Sequence, residues 1–224
     1  MPPGLMSLHK LTESKEKFLI LICLITGLLI LQPILGLFVA ARIFINIFLT
    51  AICISMLHII SRPKKHAISG WGLAIVMLAS MWSQYVYPNK TIAAIEMLAG
   101  VLFTAVVIAG ILDFIFKSER INREIIYAAI LLYLLAALMW AFVYTFLELV
   151  DPASFNIDLS QVEANLAVFR YFSFVTITTL GYGDVTPVTD VAKAFAALEA
   201  VVGQLYLVVA VAWLVGMHVS SRSR

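Results

Sequence analysis

Seven consecutive residues, Thr178-Thr179-Leu180-Gly181-Tyr182-Gly183-Asp184, combine two threonine hydroxyls, a phenol, two glycines separated by one residue and a carboxylate. Glycine reaches positive φ at little cost, so Gly181 and Gly183 allow successive backbone carbonyls to turn to one side. Rings of such carbonyls, one set from each of four chains, can replace the water shell of a dehydrated potassium ion. The Thr179 hydroxyl is placed to add a further ring of oxygens at the inner end. Tyr182 is expected to point away from the axis and pack its ring among Tyr171 and Phe172, holding the carbonyls at a fixed spacing. A Gly-Tyr-Gly tripeptide by itself indicates only a turn. Its flanks decide the matter.

Across the whole chain, 62% hydrophobic residues, 12% charged residues and a mean hydropathy of +1.02 exclude a soluble globular protein. A net charge of only +2 excludes the massed basic surface that grips nucleic acid. Cys23 and Cys53 both lie in apolar runs and give neither a disulfide framework nor a metal cluster. A helix needs about 20 apolar residues to cross a core about 30 Å thick, and six runs approach that length. They cover about residues 18–31, 38 or 43 to 60, 68–85, 92–116, 125–147 and 191–218. Gln32-Pro33 with Gly36 is expected to turn the first back, and Arg62-Pro63-Lys64-Lys65-His66 to end the second. The first run is read as retained rather than as a signal peptide.

Placing the N-terminus inside puts eleven of the fifteen Lys and Arg residues on the cytoplasmic side, leaving Arg42, Lys90, Arg170 and Lys193 outside. Both termini are then cytoplasmic, and the chain is a multi-pass protein of the cell membrane. Trp71 at one end of the third run, and Trp82, Tyr85 and Tyr87 at the other, suit an aromatic belt. His58, His66 and His218 fall near the cytoplasmic interface, where headgroup placement is the ordinary role.

Residues 165–184 are too short and too interrupted to cross, so they are expected to enter the membrane and return. Ser160 and Glu163 have capping-box spacing and Asn165 is a second candidate cap, which predicts a short helix from there to about Ile177. Irregular backbone at membrane depth is tolerated only where it is buried in protein or lines a wet path. That helix directs the negative end of its dipole toward a water-filled cavity. Glu199 lies near mid-membrane, four residues before Gly203 and on the same face, and is expected to bond Ser173 or Thr176 behind the short helix.

With these residues in place, the sequence resembles the potassium channel family, in its six-span prokaryotic type without an arginine-bearing voltage sensor. The resemblance covers about residues 125–218, and the four preceding spans match in number and placement only. It implies that Thr179, Leu180, Gly181, Tyr182 and Gly183 form the ion path, with potassium ions as the only bound cargo and no cofactor. Tyr171, Phe172, Thr178, Asp184 and Glu199 would support it, and Gly203 stands where the family's inner helix carries a hinge glycine. Leu180 replaces the commoner valine. Tyr171 and Phe172 stand where many members have two tryptophans, and Val175 where some bacterial members have a glutamate; Tyr171 can still donate to Asp184.

The expected fold is therefore all-α and integral to the membrane: six transmembrane helices, with a re-entrant pore helix and selectivity filter between the fifth and sixth. Residues 1–120 form a peripheral unit and 121–224 a pore unit. One loop cannot encircle an ion, so the working form is a homotetramer surrounded by lipid. Between Thr91 and Phe116 there is no Lys or Arg, which predicts no steep voltage gating. No nucleotide- or calcium-binding domain is expected after His218, so the first four spans are read as a buttress or as the receptor of a regulatory ligand. A non-selective cation channel would depart from this pattern at Thr179 or Tyr182. A secondary transporter would show paired repeats, and an intramembrane enzyme a nucleophile or metal motif.

Overall fold

The computed structural model describes residues 17–35, 41–60, 64–118, 122–157 and 166–222. Seven helices follow one another there: α1 (Lys17–Leu35), α2 (Ala41–Ile60), α3 (Lys64–Ser83), α4 (Lys90–Phe116), α5 (Arg123–Val150), α6 (Leu166–Ile177) and α7 (Asp190–Arg222). A two-residue antiparallel pair joins β1 (Phe155–Asn156) to β2 (Thr186–Pro187), with Phe155 opposite Pro187 and Asn156 opposite Thr186.

Every apolar run is occupied by a helix, and the sixth extends a few residues beyond its expected end. By length and composition α4, α5 and the first part of α7 (Asp190–Trp213) are able to cross a membrane. This makes the chain a multi-pass membrane protein. The apolar stretches of α1 to α3 are shorter among the described residues. Helix α1 continues through Gln32-Pro33 to Leu35, so the proline sits in its last turn; the reversal near Gly36 lies outside the described residues.

The turn between α3 and α4 is closed by one side chain. The Gln84 amide donates to the Asn89 carbonyl and accepts from its N–H, both at 3.1 Å. Asn89 then caps α4 by accepting the Thr91 N–H at 2.7 Å, and Asn122 caps α5 by accepting the Ile125 N–H at 3.0 Å. Both use the extended backbone of an N-cap to satisfy an otherwise orphaned amide.

The buried side of α4 runs through Gly100, Phe103, Thr104, Val107, Ile111 and Ile115, the three- and four-residue spacing of one helical face. It packs against Ala128, Leu131, Leu132, Leu135 and Leu138 of α5, and the same core takes in Leu21, Ile25 and Leu28 of α1 and Ile52, Met56 and Leu57 of α2. Gly100 marks the closest approach: a Cβ there would lie 2.7 Å from the Phe142 ring. A second core is aromatic and gathers where α5, β1, α6 and α7 meet. Trp140, Tyr144, Phe155, Phe169 and Phe172 pack with Ala192, and the rings of Tyr144, Phe155, Phe169 and Phe172 cross edge to face at 4.9–5.5 Å.

Candidate functional site

Helix α6 has 12 residues, about 18 Å at 1.5 Å per residue, which is well short of a bilayer core. The chain turns sharply at its end. Phe169 and Phe172 anchor the helix in the aromatic core, and Ser173, wholly buried, donates to the Ala137 carbonyl of α5 at 2.7 Å. The capping residues expected for this helix, Ser160, Glu163 and Asn165, lie outside the described residues.

The loop that follows is built on the C-terminal end of α6. Thr179 N–H reaches the Thr176 carbonyl at 2.9 Å, and the N–H groups of Leu180 and Gly181 both return to the Val175 carbonyl, at 2.9 and 3.3 Å. Positive φ falls on every second residue: Thr179 at 59°, Gly181 at 57° and Gly183 at 79°. Alternation between mirror-related backbone conformations sends successive N–H groups to one side and the carbonyls to the other. Here the N–H side faces the helix. Residues 178–184 are all exposed, and nothing lies within 4 Å of a Cβ built on Gly181 or Gly183.

Thr179 is the unexpected member of this alternation. A β-branched residue at φ 59° is a backbone outlier, and such strain, of order 1–3 kcal/mol, persists only where the surroundings over-determine it. Its hydroxyl donates to the Thr178 carbonyl at 2.7 Å, which leaves the oxygen lone pairs available to a cation. Thr178 donates to the Phe174 carbonyl at 2.6 Å.

Two side chains flank the outer end. Tyr171 donates to Asp184 Oδ2 at 2.6 Å, the bond expected from the sequence. Phe172, expected beside Tyr182, is buried against Tyr144 and Phe155, and Tyr182 is 68% exposed in the single chain. Neighbouring residues of a helix point about 100° apart, and here Tyr171 turns to Asp184 while Phe172 turns into the aromatic core. Lower down, Glu148 at the end of α5 accepts the N–H groups of Ala153 and Phe155 at 2.9 and 3.1 Å. Together with the β1–β2 pair and the Val188 N–H on the Ser154 carbonyl at 2.8 Å, this ties the segments before α6 and after the loop to each other.

Behind α6 lies a buried polar knot. Glu199 of α7 is 0% exposed. It receives the Tyr144 hydroxyl on Oε2 at 2.6 Å and meets Ser173 through Oε1. Ser173 was expected there, whereas Tyr144 was not. Ser173 has one proton and two acceptors in reach, so its bond to Glu199 either uses a proton supplied by the carboxyl or forgoes the one to Ala137.

Gly203, one turn further along α7, is a contact glycine. A Cβ there would stand 2.6 Å from Ile177 Cγ1 and 2.8 Å from the Ile177 carbonyl oxygen. Two tyrosines missed by sequence reasoning complete this level. Tyr133 of α5 donates to the same Ile177 carbonyl at 2.8 Å, and Tyr206 of α7 donates to the Ala129 carbonyl while stacking on Tyr133 at 5.9 Å. The available signal was that a phenol inside an apolar span must find an acceptor. The side chains of His58, His66 and His218 lie outside the description, and no group of three or more His, Cys, Asp or Glu able to hold a metal occurs among the described residues.

Residues 128–219 match a family model described as an ion channel. The match begins inside α5, takes in α6 and the whole loop, and ends near the close of α7. An ion-channel domain is thus present over these residues, which supports a role in transport. No curated protein and no solved structure matches the chain.

Proposed function

We propose that this chain, whose residues 128–219 carry an ion-channel domain, is the subunit of a homotetrameric, potassium-selective channel of the cell membrane. The observation that carries the reading is the alternating positive φ at Thr179, Gly181 and Gly183, on an exposed loop whose amides are tied back to α6. Four such loops around an axis present stacked rings of carbonyls, the arrangement that replaces the hydration shell of potassium. In a lone chain at membrane depth those carbonyls would lack partners, at several kcal/mol each. Symmetry-related copies and the ions supply them.

In this reading Thr179, Leu180, Gly181, Tyr182 and Gly183 line the filter, and Tyr171 and Asp184 brace its outer end. Glu199 supports it from behind, and Gly203 is the inner-helix position from which bending reaches it. Helices α1 to α5 and α7 are the six spans, with both termini cytoplasmic. Residues 1–120 form the peripheral unit and 121–224 the pore unit. Half of the crossing window of α5 is buried but only 11% of that of α7, as suits an inner helix that packs mainly on other copies and on water.

Purified protein in liposomes is expected to pass potassium down its gradient and to exclude sodium by a wide margin. Equal rates for the two ions would instead assign a non-selective cation channel. Open probability is expected to be essentially independent of voltage, because each charge moved through the field contributes about 2.3 kcal/mol per 100 mV and α4 carries no Lys or Arg after Lys90. Recordings over a wide voltage range test this. Saturating gating currents of several charges per subunit would contradict it.

A further inference from the structure

The strained Thr179 raises the question of what holds it. Its own hydrogen bonds are local, and the amides of Leu180 and Gly181 are fixed only to Val175. Two residues upstream, the carbonyl of Ile177, the last residue of α6, accepts the Tyr133 hydroxyl at 2.8 Å and lies so close to Gly203 that a Cβ there would stand 2.8 Å from it. Tyr133 is itself steadied by the Tyr206 ring, and the Tyr206 hydroxyl is fixed on Ala129. Outer helix, inner helix and pore-facing loop therefore meet at one peptide group.

We propose that Tyr133 is a positioning residue for the ion path: by pinning the Ile177 carbonyl it fixes the depth and orientation of Thr179, and so the discrimination made at the inner oxygen ring. This rests on the channel reading above. Tyr133 touches no ion and acts only through the two-residue link 177–179. A carbonyl released at this place has the loop as its softest neighbour, because α6 is anchored by its aromatic residues and α7 by Glu199. Releasing it lets Thr179 relax out of its outlier conformation.

The test is a double-mutant cycle between Tyr133→Phe and Thr179→Gly, read as the sodium-to-potassium permeability ratio in liposomes or bilayers. Tyr133→Phe keeps the ring and its stack, so assembly and melting temperature are expected to change little. The ratio is expected to rise roughly two- to tenfold, the equivalent of one hydrogen bond. In the Thr179→Gly background, where positive φ carries no strain, the same change is expected to have no further effect. An unchanged ratio in Tyr133→Phe overturns the proposal, as does an effect that persists undiminished beside Thr179→Gly. Failure of Tyr133→Phe to assemble also overturns it, by marking the hydroxyl as a folding element. Absence of cation flux in the parent protein removes the channel reading and this inference with it.

Discussion

Alanine at Gly181 or Gly183 abolishes potassium flux in the expected result, while the protein still inserts and its helices still form. The cause is conformational. No atom lies within 4 Å of the added Cβ at either position, so no clash opposes it, but φ of 57° and 79° is retained. A left-handed conformation costs an L-residue roughly 1–2 kcal/mol; with four copies in one ring the total is about 4–8 kcal/mol, and flipping the peptide out of the ring is the relief. Flux assays beside circular dichroism and cross-linking of the tetramer separate the two readouts. Conduction at the parent rate in either variant would show that the alternating backbone does not form the ion path.

Glu199→Leu carries the second large effect. It leaves the Tyr144 hydroxyl, wholly buried, without its short acceptor, a loss of about 1–3 kcal/mol per subunit, and it breaks the polar tie from α7 to α5 and α6. The expected outcome is a markedly lower melting temperature of the tetramer, with loss of stable potassium conduction. Glu199→Gln keeps an acceptor for Tyr144 and adds a donor for Ser173, and is expected to assemble and conduct. Parent stability and conductance in the Leu variant would make Glu199 a passenger.

Much of this was legible in the residues. Helix positions followed from run length and hydropathy, since burial in lipid leaves composition as the dominant signal. The doubled threonine, paired glycines and aspartate announced the loop, and the Glu199–Ser173 contact followed from the cost of a carboxylate at mid-membrane. What was hidden was directional. Nothing in the order of Tyr171 and Phe172 says which of them faces the loop, because that depends on the rotation of α6 set by Tyr144 and Phe155 from other elements. Glycine was also too blunt a guide: the sequence offered Gly203 as a place to bend, and could not show that it is also where α7 comes closest to Ile177. The positive φ of Thr179 is imposed by its surroundings against its own preference, and local propensity cannot show that.

The packing of α4 on α5 bears on how the proposed tetramer would be made. Only six residues separate Phe116 from Arg123, a reach of about 20 Å even when fully extended, and the two helices share one continuous core with Gly100 set against Phe142. Helices α1 and α4 therefore lie against the fifth helix of the same chain, with α2 and α3 packed on them, and no exchange of parts between copies is needed to bury them. Biogenesis is then modular. A newly inserted chain can complete this bundle alone, and formation of the proposed tetramer becomes the docking of finished pieces whose open face is α7 and the loop.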